Sequence, residues 1–183
     1  MNTLYFTTEE WDTVYAACSN YAKKEFKSTE LQRARRNQTN KSAILSQTTV
    51  GKIAEWAVTF FYSDKGYQMS APDMKIYAAP NKSFDADLLM NGTPLHVKSQ
   101  SIDSANRYGT SWTFQYGGKG TGHKDPLINR VDENVALCVV DMKQHMVIIH
   151  GIFNFKVLRK KLKEPKLDYL KKTKRCIYLT DLI

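Results

Sequence analysis

The stretch from Ser83 to Ser99, Ser-Phe-Asp-Ala-Asp-Leu-Leu-Met-Asn-Gly-Thr-Pro-Leu-His-Val-Lys-Ser, constrains the fold more than any other part of the chain. Two alternating runs flank Asn91-Gly92, the strongest short-range signal for a two-residue hairpin turn. With those residues as the turn, Met90 faces Thr93, Leu88 faces Leu95, Ala86 faces Val97, Asp87 faces His96 and Asp85 faces Lys98. Side chains on a strand alternate between faces. One face of the ribbon then carries Ala86, Leu88, Met90, Leu95 and Val97, with Thr93 at the turn, and the other carries Asp85, Asp87, His96 and Lys98, with Leu89 and Pro94 beside the turn. A half-buried hairpin accounts for the apolar face. It gives no reason to gather two carboxylates, an imidazole and an ammonium on the other.

At 183 residues the chain is long enough for one domain with a sizeable core. Hydrophobic residues make up 42% and charged residues 25%, which excludes disordered and fibrous classes. The net charge of +9 points to a polyanionic partner, nucleic acid first and acidic membrane second. Cys18, Cys138 and Cys176 are odd in number and lie far apart, so they read as thiols in a reducing compartment. The first residues lack a basic and then apolar leader, and the longest apolar runs are strand-sized, so an intracellular place (cytoplasm or nucleoid) with no membrane span is expected.

Thr7-Thr8-Glu9-Glu10 reads as a helix start. Trp11, Val14, Tyr15, Cys18, Tyr21, Ala22 and Phe26 then recur at helical spacing, and the helix is expected to reach about Arg36. Residues 22–41 hold seven Lys or Arg against two Glu, which is either a solvated helix end or an arm for phosphates; in the second reading Arg33, Arg35 and Arg36 touch the backbone. A polar stretch from Asn37 to Gln47 leads to a second helix over Thr48–Tyr62, with Ile53, Ala54, Ala57, Phe60 and Phe61 on its buried face and Glu55 beside it. An edge strand is expected around Met74 to Ala78.

Beyond the hairpin, Ser111–Tyr116 reads as a strand, and Val135–Val140 and Met146–Phe153 as a second hairpin. Gly117–Lys124 fails as a phosphate loop, because His123 stands where its lysine should follow the last glycine. It reads as a surface loop whose Lys119 and Lys124 reach a backbone phosphate. His145 and His150 lack partners at metal-ligand spacing and read as structural or surface residues. Residues 155–175 hold ten Lys or Arg and two acids, nearly the whole net charge, and make a nucleic-acid footprint. Cys176–Thr180 reads as a closing strand.

Asp85, Asp87 and Lys98 on one ribbon face, with Glu55 from the preceding helix, are the groups that metal-assisted phosphodiester hydrolysis uses: carboxylates for a hard divalent ion and a cation near the water. Their order resembles the PD-(D/E)XK nuclease superfamily, the restriction-endonuclease-like fold. Over roughly residues 48–153, Gly51-Lys-Ile-Ala-Glu55-Trp resembles the family's acid-bearing helix. Asp85-Ala-Asp87-Leu-Leu resembles its metal-binding Asp, and His96-Val97-Lys98 its acid-x-Lys tripeptide. The literal Pro72-Asp73 pair lies outside an alternating run, far from Lys98, and is set aside.

The resemblance implies an α/β fold with a central mixed sheet flanked by helices, residues 48–183 forming the nuclease-like domain and residues 1–47 an N-terminal helical extension. It implies a metal-dependent DNA endonuclease with Mg²⁺ or Mn²⁺ on Asp87, Asp85 and Glu55. Lys98 would then handle the attacking water, and a homodimer would cut both strands. His96 stands where the family has its second acid, and imidazole is a poor ligand for Mg²⁺. It is read either as a structural partner of Asp87 or as a catalytic assistant. A nuclease-fold module that binds nucleic acid without cutting it is the alternative.

Overall fold

The computed structural model describes residues 2–35, 38–77, 85–117, 125–130 and 132–182. Its elements in order are β1 (Asn2–Tyr5), α1 (Thr8–Arg35), α2 (Lys41–Asp64), β2 (Leu88–Met90), β3 (Thr93–Ser101), α3 (Ile102–Tyr108), β4 (Ser111–Gln115), β5 (Asn134–Asp141), β6 (Met146–Asn154), α4 (Phe155–Arg159), α5 (Asp168–Lys171) and β7 (Lys174–Tyr178). Five strands form one mixed sheet in the order β1-β6-β5-β3-β2, with β3 and β5 parallel and every other pair antiparallel. β4 and β7 pair as a separate antiparallel ribbon. The architecture is α/β, and among the described residues no helix is long and apolar enough to cross a membrane.

The uninterrupted apolar run of β5 explains the layering. Ala136, Cys138 and Val140 join the core formed with α1 and α2, whereas Val135, Leu137 and Val139 join a second core with Trp112, Phe114, Phe155, Leu158 and Ile177. A strand buried on both faces needs no polar alternation, which is why its sequence shows none. Each fully buried aliphatic side chain there contributes roughly 1.5–3 kcal/mol of transfer free energy. Trp112 ties the two layers together: its indole N–H donates to the Cys138 carbonyl at 2.8 Å, in full burial. Opposite Leu137, β6 carries a bulge around His150, and the His150 ring meets Trp112 edge-on at 5.2 Å.

Local signals place the helices. Thr7 and Glu10 cap α1 reciprocally: the Thr7 N–H donates to Glu10 Oε2 at 2.8 Å and the Glu10 N–H to Thr7 Oγ1 at 3.2 Å. The ring of Trp11 stacks on His145 at 4.5 Å and 8°, and this clamps the start of α1 onto the β5–β6 turn. His145 is thus a structural residue. Helix α2 starts seven residues before Thr48, because Asn40 Oδ1 accepts the Ala43 N–H and caps it there. The boundary expected between residues 47 and 48 falls inside this helix, and β1 pairs with β6 while Phe6, Trp11, Val14 and Cys18 join the core, so β1 and α1 share the sheet and core of the rest. No strand forms over Met74–Tyr77; five residues earlier Met69 makes an isolated bridge to Met90, and residue 78 lies outside the described residues.

Candidate active site at the open end of the first hairpin

Asn91 and Gly92 take φ of +48° and +76°, the two positive values of a tight primed turn, and Met90 pairs with Thr93 and Leu88 with Leu95 as the alternation predicts. Leu88, Met90, Leu95 and Val97 all face the α1–α2 core. By alternation His96 and Lys98 face the opposite side of the sheet.

The ladder ends after Leu88. At the next step Asp87 Oδ2 accepts the Val97 N–H at 2.8 Å, so a side chain takes the place of a main-chain acceptor. The strand therefore leaves the sheet at Asp87, and Asp85 does not reach the register position opposite Lys98. Asp87 does keep its expected neighbour, with Oδ2 3.9 Å from His96 Nδ1.

This departure carries Asp85 and Asp87 over the edge of the sheet, toward α2. They line a cavity of about 510 Å³ together with Glu55, Asp73, Lys52 and Arg33. Glu55 is buried, its Oε2 2.7 Å from Lys52 Nζ. Burial, with the Asp87 carboxylate adding to it, pushes the Glu55 carboxyl up to about 8, although Lys52 pulls the other way. For Lys52, burial works to lower the ammonium, and the Glu55 carboxylate, with Tyr21 and Asp87 adding to it, raises it on balance. Lys52 also lies 5.0 Å from the Tyr21 ring centroid. Arg33, expected on phosphates, is paired with Glu25 at 2.7 Å on the wall of this cavity.

The other face of β3 holds a different set. His96 is buried, with Nε2 2.5 Å from Glu133 Oε2. Lys98 Nζ is 2.6 Å from Asp125 Oδ2 and 5.5 Å from the Phe114 ring centroid. The sequence-predicted group is thus divided: Asp85, Asp87 and Glu55 share the cavity, His96 touches it through Asp87, and Lys98 points away from it. Arg35 closes α1 at an exposed position, while Arg36, Lys119 and Lys124 lie outside the described residues. Among the described residues no three His, Cys, Asp or Glu side chains close into a group that could hold a metal ion.

Four residues of this region escaped the sequence reading. Lys52 was within reach, because a position three before Glu55 on a helix lies on the same face. Asp73 was set aside for its distance from Lys98, and the cavity that it lines does not contain Lys98. Glu133 and Asp125 carried no local signal: they arrive 37 and 27 residues after their partners, through the parallel β3–β5 pairing and the turn that precedes it. Comparison with family models, with curated proteins and with solved structures finds no match to this chain.

Proposed function

We propose that this protein is a metal-dependent DNA endonuclease of the PD-(D/E)XK type, working with Mg²⁺ or Mn²⁺ and acting on duplex as a homodimer. The observation that carries the reading is the convergence of Glu55, Asp85 and Asp87, from a helix and a hairpin far apart in sequence, on one cavity. The order of elements supports it: an acid-bearing α2, the β2–β3 hairpin, α3, and then, after β4 of the separate ribbon, β5 parallel to β3. A restriction-endonuclease-like core has that order.

The donors fit a hard divalent ion in kind. All three are carboxylates, and Mg²⁺ takes only one or two of these and completes its shell with water and phosphate oxygens, so a closed protein cage is not required. The Glu55 carboxyl is raised first by burial and then by the Asp87 carboxylate beside it, and the second of these favours a cation between the two acids. When bound, the ion would polarise the phosphate and make hydroxide available. Lys52 holds Glu55 in place and supplies positive charge inside the cavity, the part expected of Lys98. Val97 N–H holds Asp87 at the sheet edge, and the basic segments 22–41 and 155–175 would draw in the phosphate backbone.

One observation favours the alternative of a nuclease-fold module that binds DNA without cutting it: Lys98 and His96 are each tied to an acid outside the cavity. Plasmid cleavage with Mg²⁺ or Mn²⁺ decides between them. The native chain should nick DNA, Glu55→Gln and Asp87→Ala should lose at least a hundredfold in rate, roughly the size of one lost electrostatic contact, and Lys52→Ala should lose more than Lys98→Ala. A native chain that binds DNA and nicks it with neither metal overturns the enzyme and leaves the binding module.

A further inference from the structure

Two joined cavities open beside the next face of α2. The larger, of about 600 Å³, is walled by Gln47 and Val50 of α2, by the end of β3 from Ser99 to Ser101, and by Tyr108, Tyr169 and Lys174. The smaller, of about 260 Å³, adjoins it through the shared residues Tyr108, Leu167 and Leu170, and it adds Pro165, Arg107 and Lys166. Gln47 and Val50 are the α2 neighbours of Thr48 and Gly51, which wall the acidic cavity, so the two sites lie on adjacent faces of one helix.

The chemistry of these walls differs from that of the first site. No carboxylate stands among the described residues of either lining, whereas each carries cations, Arg107 and Lys166 in one and Lys174 in the other. Tyr108 and Tyr169 are 41% and 74% exposed, far more than buried core aromatics, and both border the larger cavity. Leu167 and Leu170 give the smaller compartment an apolar side. Aromatic faces, an apolar slot, amide edges and cations without acids suit a planar, apolar-faced, polar-edged group attached to a phosphate.

We propose that this joined cavity binds an unpaired nucleobase of the DNA substrate, stacked against Tyr108, with its phosphate toward Lys174. The inference rests on the reading of the chain as a DNA nuclease, and it names the substrate class: DNA with a single-stranded or extrahelical nucleotide close to the scissile bond. A base must leave the stack to enter a concave site, and a bulged or single-stranded nucleotide does so without the unstacking energy that extrusion from an intact duplex costs. Glu55 and Gln47 are eight residues apart on α2, roughly 12 Å along the axis. That length spans a strand held in the acidic cavity and a base seated in the second one.

Binding in EDTA tests this apart from catalysis. A duplex with one bulged 2-aminopurine, the matched duplex and a single strand would be titrated against the native chain, Tyr108→Ala, Tyr108→Phe and Tyr169→Ala. The bulged 2-aminopurine should be quenched on binding by the native chain and by Tyr108→Phe. Tyr108→Ala should weaken the bulged and single-stranded ligands by roughly tenfold or more, the size of a lost base–aromatic stack, and leave the matched duplex unchanged. Tyr169→Ala, at an exposed position where folding is not at stake, should weaken the same two ligands in the same direction. Equal loss for matched and bulged duplex, or no quenching by the native chain, overturns the pocket. Mg²⁺ cleavage reads the nuclease separately: quenching without cleavage removes the enzyme alone, and cleavage without quenching removes the pocket alone.

Discussion

Glu55 is the residue at which burial and charge oppose each other most strongly. Its carboxyl is pushed up to about 8 first by burial and then by Asp87, against the pull of Lys52. A carboxyl whose folded value lies above its unfolded one favours the folded state at pH below the unfolded value. That contribution is lost as pH rises through the folded value. Between about pH 4.5 and about pH 8 the metal-free chain should therefore lose stability, on the order of 5 kcal/mol at most from this group. Glu55→Gln has no proton to lose and should flatten that slope. Chemical denaturation in EDTA at several pH values checks it, and a native-like slope in Glu55→Gln would remove the assignment. Glu55 was legible as a candidate from its place beside an apolar helical face; its elevated carboxyl was not, because that depends first on burial by other elements and then on Asp87 arriving from one of them.

At the scale of elements, the first hairpin is the part most fully written in the sequence. Its turn, and its register and apolar face as far as Leu88, follow from Asn91-Gly92 and from alternation, and the structure has them; Ala86 leaves that face and lines the acidic cavity. Gly92 at φ +76° meets nothing within 4 Å of an added Cβ, so Gly92→Ala should cost only the left-handed backbone penalty, about 1–2 kcal/mol. The same change should lower cleavage, since the turn holds β2 in register and β2 carries Asp87 to the cavity; thermal melts and plasmid nicking on one preparation test both. Where the ladder stops was not legible. A carboxylate that takes the Val97 N–H looks in sequence like any other residue of an alternating run. The early start of α2 was missed for a related reason, because Ser42, Ser46, Gln47 and Thr48 hide its period while the cap at Asn40 sets its first turn.

At the scale of the whole molecule, charge and chain order act together. The excess of +9 is concentrated in residues 155–175, yet several of those cations are spoken for: Lys163 pairs with Asp181, Lys171 with Asp168 and Arg175 with Glu164. DNA affinity should still fall steeply with salt. With about four phosphate contacts, roughly a hundredfold should be lost between about 50 and about 200 mM salt. Fluorescence anisotropy across that range measures the slope, and a flat response would remove the backbone-binding role of the basic segments.

The sequence by itself determined the tight hairpin with its acids, the apolar run that becomes β5 and the basic excess, because turn chemistry, periodicity and net charge are local or additive properties, whereas the α/β class came as an implication of the family resemblance. Only the tertiary structure decided which of those acids meet. Alternation says that Lys98 and Asp87 share a face, but not that the strand turns off the sheet at Asp87. Nor does it say that Lys98 finds Asp125 on the far side while Lys52 faces Glu55. Contacts between elements depend on how layers stack, and a period of two along one strand carries no information about what is packed against it.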